Sequence, residues 1–132
     1  MFYYEGGRYM GDKRKIAIYA RKSKLTETGK SVDNQITKCK ACAVLRFDAT
    51  DDDIIIYHDD GKSGFYADRP EYMRMLKDIE NNRIRAVICY KFDRISRRTI
   101  DLLNLFERLK AKKCHLCRVR IISIQVRLRV RY

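Results

Sequence analysis

The sequence predicts an α/β fold, a mostly parallel sheet with flanking helices. Three observations carry this. Ile16–Tyr19, Ile54–Tyr57 and Ala86–Tyr90 are short, apolar and rich in β-forming residues. Each is followed by a longer stretch whose apolar residues recur at helical spacing. The resulting order, β-α-β-α-β-α, fits in one domain of 132 residues, large enough to bury a core but not two.

The elements follow in order. After Ile16–Tyr19 comes a polar loop, Arg21–Lys30, closed by Gly29. Ser31 is a plausible N-cap for a helix to about Phe47, with Val32, Ile36, Cys39 or Lys40, and Ala43 roughly on one face. Asp48–Asp53 reads as a turn. The second strand, Ile54–Tyr57, leads into the glycine-punctuated loop Asp59–Gly64. Pro70 suits the first turn of a helix, where a missing N–H costs nothing. That helix runs to Asn81-Asn82, with Tyr72, Met75, Leu76 and Ile79 as its stripe. Past Ala86–Tyr90, the loop Lys91–Arg98 is dense in charge. Thr99 can cap a last helix to about Lys112, buried along Leu102, Leu103, Phe106 and Leu109.

Composition narrows the function classes. No apolar run is long enough to cross a bilayer, and 1–15 lacks the apolar core of a signal peptide, so a cytoplasmic protein is expected. Met10 is a possible second start, which would leave Met1–Tyr9 as a dispensable leader. Five cysteines are an odd count, which argues against a disulfide framework. The two Cys-x-x-Cys pairs, Cys39/Cys42 and Cys114/Cys117, lie too far apart for a ribbon-type zinc site, and no metal is expected. The net charge of +13 favours a polyanionic partner, but eight of the 30 Lys and Arg crowd into Lys110–Tyr132, which has no acid. Charge by itself is therefore a modest argument for nucleic acid.

In a parallel sheet the working loops gather at the carboxyl ends of the strands. That topology brings Arg21–Ser23, Asp59–Arg69 and Asp93–Arg97 to one edge. The cluster lacks a general base: neither His58 nor His115 falls near Ser23, so a Ser-His-Asp hydrolase is not expected. There is no glycine-rich phosphate loop and no carboxylate set for paired metals. What remains is a hydroxyl among guanidinium groups, whose planar forks fit phosphate oxygens two at a time. Arginines so placed can stabilise the charge of a phosphoryl transition state by preorganisation. Singly, each residue has a plainer reading: Ser23 as a turn residue, Arg69 as solvated, Asp93-Arg94 as a surface ion pair. Their joint placement is the stronger signal.

Five pieces in this order resemble the catalytic domain of the serine recombinase (resolvase/invertase) family. They are Y-A-R-K-S (Tyr19–Ser23), S-V-D-N-Q (Ser31–Gln35), D-G-K-S-G (Asp60–Gly64), D-R-P (Asp68–Pro70) and Y-K-F-D-R-I-S-R (Tyr90–Arg97). The spacing between Ser23 and Gln35 looks like that of the large serine recombinases of mobile elements. The resemblance implies a resolvase-like catalytic domain over 15–112, after an N-terminal leader at 1–14. It implies cleavage and rejoining of double-stranded DNA through a 5′-phosphoserine intermediate at Ser23. Arg21, Arg69, Arg94 and Arg97 would hold the phosphate, and Asp93 would orient them or help move a proton. Gln35 would support the loop, and Lys77 is the nearest candidate for a further basic residue. No cofactor is implied, and relatives work as synapsed homotetramers.

Beyond Lys112 the resemblance implies a fourth strand, a turn, a long dimerisation helix and a separate DNA-binding domain. The chain instead ends in an atypical basic tail, 113–132, with C-H-L-C-R-V-R-I-I-S-I-Q-V-R-L-R-V-R-Y from Cys114 on. Back-translated freely and shifted by one base, 121–130 reads as Asn-Phe-Asp-Thr-Ser-Thr-Pro-Thr-Gly, like the family's turn. The expectation is a frameshifted, truncated or aberrant C-terminal part, with weak or absent dimerisation. Two rivals remain: a catalytically inactive remnant binding nucleic acid by charge alone, and a phosphate-binding α/β enzyme acting on small molecules.

Overall fold

The computed structural model describes residues 4–5, 8–9, 13–22, 29–59 and 69–119. Ser23 lies outside the described residues, as do 60–68 and 120–132, so the D-G-K-S-G motif and the shifted-frame segment do too. Among the described residues, six strands and three helices run in the order β1 (Tyr4–Glu5), β2 (Arg8–Tyr9), β3 (Lys15–Arg21), α1 (Gly29–Phe47), β4 (Ile54–Asp59), α2 (Pro70–Glu80), β5 (Ile84–Cys89), α3 (Thr99–Ala111) and β6 (His115–Arg118). β1 and β2 pair as a small antiparallel hairpin within the expected leader. The other four strands form one sheet, ordered β4-β3-β5-β6, and every pairing in it is parallel. The predicted α/β class and the mostly parallel sheet are what is observed.

Strand alternation sends side chains to two separate cores. Ile16 and Ile18 of β3 and Ala86 and Ile88 of β5 pack under α1 with Cys39, Ala43 and Phe47. Ala17, Tyr19, Val87 and Cys89 face the other way, against Tyr72, Met75 and Ile79 of α2 and Leu105 and Leu109 of α3. β3 and β5 are buried along nearly their whole length, as central strands covered on both faces must be. Arg85 sits where the β3–β5 register shifts, between the Lys15–Ile84 and Ile16–Ala86 pairs.

Several local readings change. α1 starts at Gly29, so Ser31 falls inside its first turn rather than at its cap. The cap position of α3 is Arg98, not Thr99. Leu105 is buried on α3, whereas Leu103 and Phe106 are 50% and 37% exposed: the helix is rotated from the expected stripe, because the groove it fills is set by Ile84, Val87 and Ile95. The fourth strand, expected to be missing, is present as β6, parallel to β5 with Ile88 opposite Cys117. Arg14 reaches from the segment before β3 to the end of α3, donating from Nη1 to the Lys112 carbonyl at 2.9 Å and from Nη2 to that of Lys113 at 3.2 Å. This brings one guanidinium to the carbonyl end of the helix, where a positive charge is favoured.

None of the five cysteines, all among the described residues, is in a disulfide. Among the described residues no three His, Cys, Asp or Glu gather as a metal site, and no helix is long and apolar enough to cross a membrane.

Candidate active site

The carboxyl edge of the sheet is organised by Asp59, the last residue of β4 and directly opposite Arg21 in the register. Its carboxylate is buried. Oδ1 accepts the Glu71 N–H and Oδ2 the Tyr72 N–H, both at 2.9 Å. These are first-turn donors of α2 that have no partner within the helix, so Asp59 caps α2 from the neighbouring strand. Pro70 at the first helical position needs no such acceptor.

Tyr19 joins this carboxylate to Arg69. Its hydroxyl donates to Asp59 Oδ2 at 2.8 Å and accepts from Arg69 Nε at 3.2 Å. The Arg69 guanidinium lies over the Tyr72 ring at 4.1 Å and the Tyr19 ring at 5.3 Å. The two rings themselves meet edge to face at 5.3 Å. Burial pushes the Tyr19 phenol far above its ordinary pKa; the Arg69 charge opposes this and Asp59 adds to it. The phenol thus stays protonated and remains a donor to Asp59 at any working pH. Arg69 is 2% exposed, and its Nη2 is buried without a hydrogen-bond acceptor among the described residues.

Arg21 leaves the end of β3 toward the turn after β5. Its Nε donates to the Arg94 carbonyl at 3.1 Å and its Nη2 to the Asp93 carbonyl at 3.2 Å. Phe92–Arg94 is a single 3₁₀ turn, closed by Arg94 N to Lys91 O at 3.0 Å and anchored by the buried Ile95 that follows. Gln35, buried on α1, donates from Nε2 to the Arg21 carbonyl at 3.3 Å. The strand exit that precedes Ser23 in the chain is therefore held from both faces of the sheet. Asp93 serves Arg21 through its carbonyl, while its half-exposed carboxylate stands 4.0 Å from Arg94 Nε.

Arg21 meets the turn that carries Arg94, and Arg69 meets Tyr19, two residues before Arg21 in the same strand; Arg97 follows three residues after Arg94. The Arg21 pKa lies below its ordinary value, chiefly through burial, and the Arg69, Arg94 and Arg97 charges press in the same direction against Tyr19. Such mutual repulsion is costly unless an anion relieves it. Arg21, Gln35, Arg69, Asp93, Arg94 and Arg97 thus come to one edge. Lys77 does not: it is exposed, about 12 Å along the α2 axis from Arg69, and no hydrogen bond or ion pair among the described residues ties it to the cluster. Tyr19 and Asp59 have contacts that the sequence reading gave no part. The available signals were an acid closing an apolar strand and a tyrosine two residues before Arg21, hence on the same face.

The model of the resolvase N-terminal domain matches residues 16–125. The chain belongs to that family. The match runs past Lys112 and through β6, in keeping with the fourth strand seen in the sheet. Among solved structures of the same fold, the N-terminal catalytic domain of TP901-1 integrase is 32% identical, with 80% of this chain and 78% of that one covered and a TM-score of 0.65. The product of the first reading frame of transposon ISC1904 from Sulfolobus solfataricus P2 is 26% identical, covering 83% and 69%, with a TM-score of 0.62. A candidate DNA recombinase of Bacillus subtilis (strain 168) is 34% identical over 99 residues, which is 74% of this chain. The chain spans about a fifth of that relative's length, 19%.

Proposed function

We propose that this resolvase-family chain is the catalytic part of a site-specific DNA recombinase, with Ser23 as nucleophile and double-stranded DNA as substrate. Ser23 Oγ forms a bond to the phosphorus of a backbone phosphodiester as the bond from phosphorus to the 3′-oxygen breaks. The departing oxygen takes the electron pair and a proton, giving a free 3′-hydroxyl and a 5′-phosphoserine link. The serine proton passes to Asp93 or to solvent. Attack by a 3′-hydroxyl on the phosphoserine reverses these steps and rejoins the strand. Each step exchanges one phosphate ester for another, so no nucleotide is consumed.

The chain's own residues supply the electrostatics. Arg21, Arg94 and Arg97 neutralise the equatorial oxygens, and Arg69 offers Nη2, the buried donor that lacks an acceptor among the described residues. Gln35 fixes the strand exit through the Arg21 carbonyl. The single observation that carries the reading is that Arg21, at the end of β3 and two residues before a serine, meets the turn of Asp93 and Arg94, while Arg69 is held on Tyr19 of the same strand. Assembly into dimers and tetramers on two DNA sites belongs, in this reading, to a longer protein.

The test is a duplex nicked near the cleavage point, so that the cut strand diffuses away. A protein–DNA adduct that survives denaturation and disappears in Ser23→Ala is the expected result. Salt-sensitive binding with no adduct would instead support a remnant that binds by charge alone.

A further inference from the structure

On the opposite face of the same sheet edge lies a second basic feature, which the arginine cluster does not use. Tyr90 follows β5 and packs against the core under α1. Lys38, from α1, places Nζ 5.6 Å from the centre of the Tyr90 ring, and Lys91 places its own at 5.7 Å. Each is within the ~6 Å range of a cation–π contact. Both lysines are exposed, and neither makes an ion pair among the described residues. Two like charges from distant parts of the chain are thus held at one ring.

The position of this pair gives it a direction. Lys91 precedes the Phe92–Arg94 turn, and its carbonyl accepts the Arg94 N–H that closes it. Asp93 and Arg94 of that turn hold Arg21. The lysines therefore flank the arginine cluster across the thickness of the sheet. A DNA strand carries one charge per ~3.4 Å of duplex axis, so a strand laid over this edge presents more than one phosphate to it. The ring matters because it limits where the ammonium groups can sit, which lowers the entropy lost when they meet a phosphate.

We infer that Lys38, Lys91 and Tyr90 form a DNA-backbone clamp, binding phosphates adjacent to the one that the arginines hold. The inference rests on the proposed recombinase reading for its substrate, but its test is independent of cleavage. In a Ser23→Ala background, affinity for a short duplex of generic sequence is measured by fluorescence anisotropy across a salt series. The plot of log affinity against log salt has a slope of roughly −0.9 for each phosphate contact. The Lys38→Ala/Lys91→Ala pair is expected to flatten it by about 1.8, and Lys110→Ala, at the far end of α3, by nothing measurable. Tyr90→Phe, which keeps the ring, should behave as its parent. A slope unchanged by the double substitution, in protein with an unchanged unfolding temperature, overturns the clamp. If the double variant proves unfolded, the single variants are read the same way, each losing about 0.9. A wild-type adduct with an unchanged slope sinks the clamp alone, and a flattened slope with no wild-type adduct sinks the recombinase reading alone.

Discussion

The Tyr19 hydroxyl and the Asp59 carboxylate meet at 2.8 Å, and that contact links Arg69 to the start of a helix. Asp59 takes two backbone N–H groups of α2 and one phenol, and the phenol takes Arg69. Removing the carboxylate therefore uncaps α2 and strips Arg69 of its buried counter-charge together. Asp59→Ala is expected to destabilise the fold by about 3 kcal/mol, the range for breaking a buried charge pair. Urea unfolding followed by circular dichroism measures it, and a loss within ~0.5 kcal/mol would show that the network carries no weight.

Tyr19→Phe separates the two roles. It keeps the ring under Arg69 and the cap on α2, and deletes only the hydroxyl that Arg69 Nε donates to. A cost of about 1–3 kcal/mol is expected from the unpaired buried groups. Adduct formation should fall further than stability does, because Arg69 loses its aim. Equal rates for the folded variant and its parent would remove Tyr19 from the positioning of Arg69.

Arg21→Lys keeps the charge and loses the fork that spans two carbonyls. Adduct formation is expected to drop on the order of 100-fold, the size of losing one preorganised donor. Gln35→Ala, which frees the Arg21 carbonyl, should cost about fivefold, since one neutral hydrogen bond is worth ~1 kcal/mol. Single-turnover rates on the nicked duplex give both numbers, and a reversed ranking would place the strand exit, not the arginine, at the centre.

The core under α1 sets an alkaline limit. Burial pushes the Cys39 thiol from an ordinary value near 9 up to about 12, with Cys42 adding to the shift. The neutral thiol is the form that the fold prefers, so this stability is present in full below pH 9. It is lost as pH rises toward 12, because the unfolded chain releases the proton first. The slope is about 1.4 kcal/mol per pH unit for one such thiol. Cys39→Ala should make the fall between pH 10 and 11 shallower by that amount in urea titrations.

How much of this was legible in the sequence depends on the range of each interaction. The strands were legible because runs such as Ile54–Tyr57 are apolar and β-branched without help from elsewhere. Their polar ends were not: Lys15, Arg21 and Asp59 are in strands only because neighbours pair with them across the sheet. Pro70 announced α2 correctly, since its effect is local. Leu103 and Phe106 misled because α3 could present either of two apolar stripes, and the groove chose the one with Leu105. The roles of Tyr19 and Asp59 arise only where β3, β4 and α2 converge. Lys77, the nearest candidate for the basic residue that the resemblance implies in the helix after Arg69, stands about 12 Å from it along α2.

The most direct measurement is the chemical identity of the linkage. The trapped adduct is digested with nuclease and protease, and the modified peptide is mapped by mass spectrometry. A nucleotide remnant on the Ser23 hydroxyl, with the released strand ending in a 3′-hydroxyl, is the predicted result. A remnant on another residue, or cleaved DNA with no linkage to protein, would contradict it.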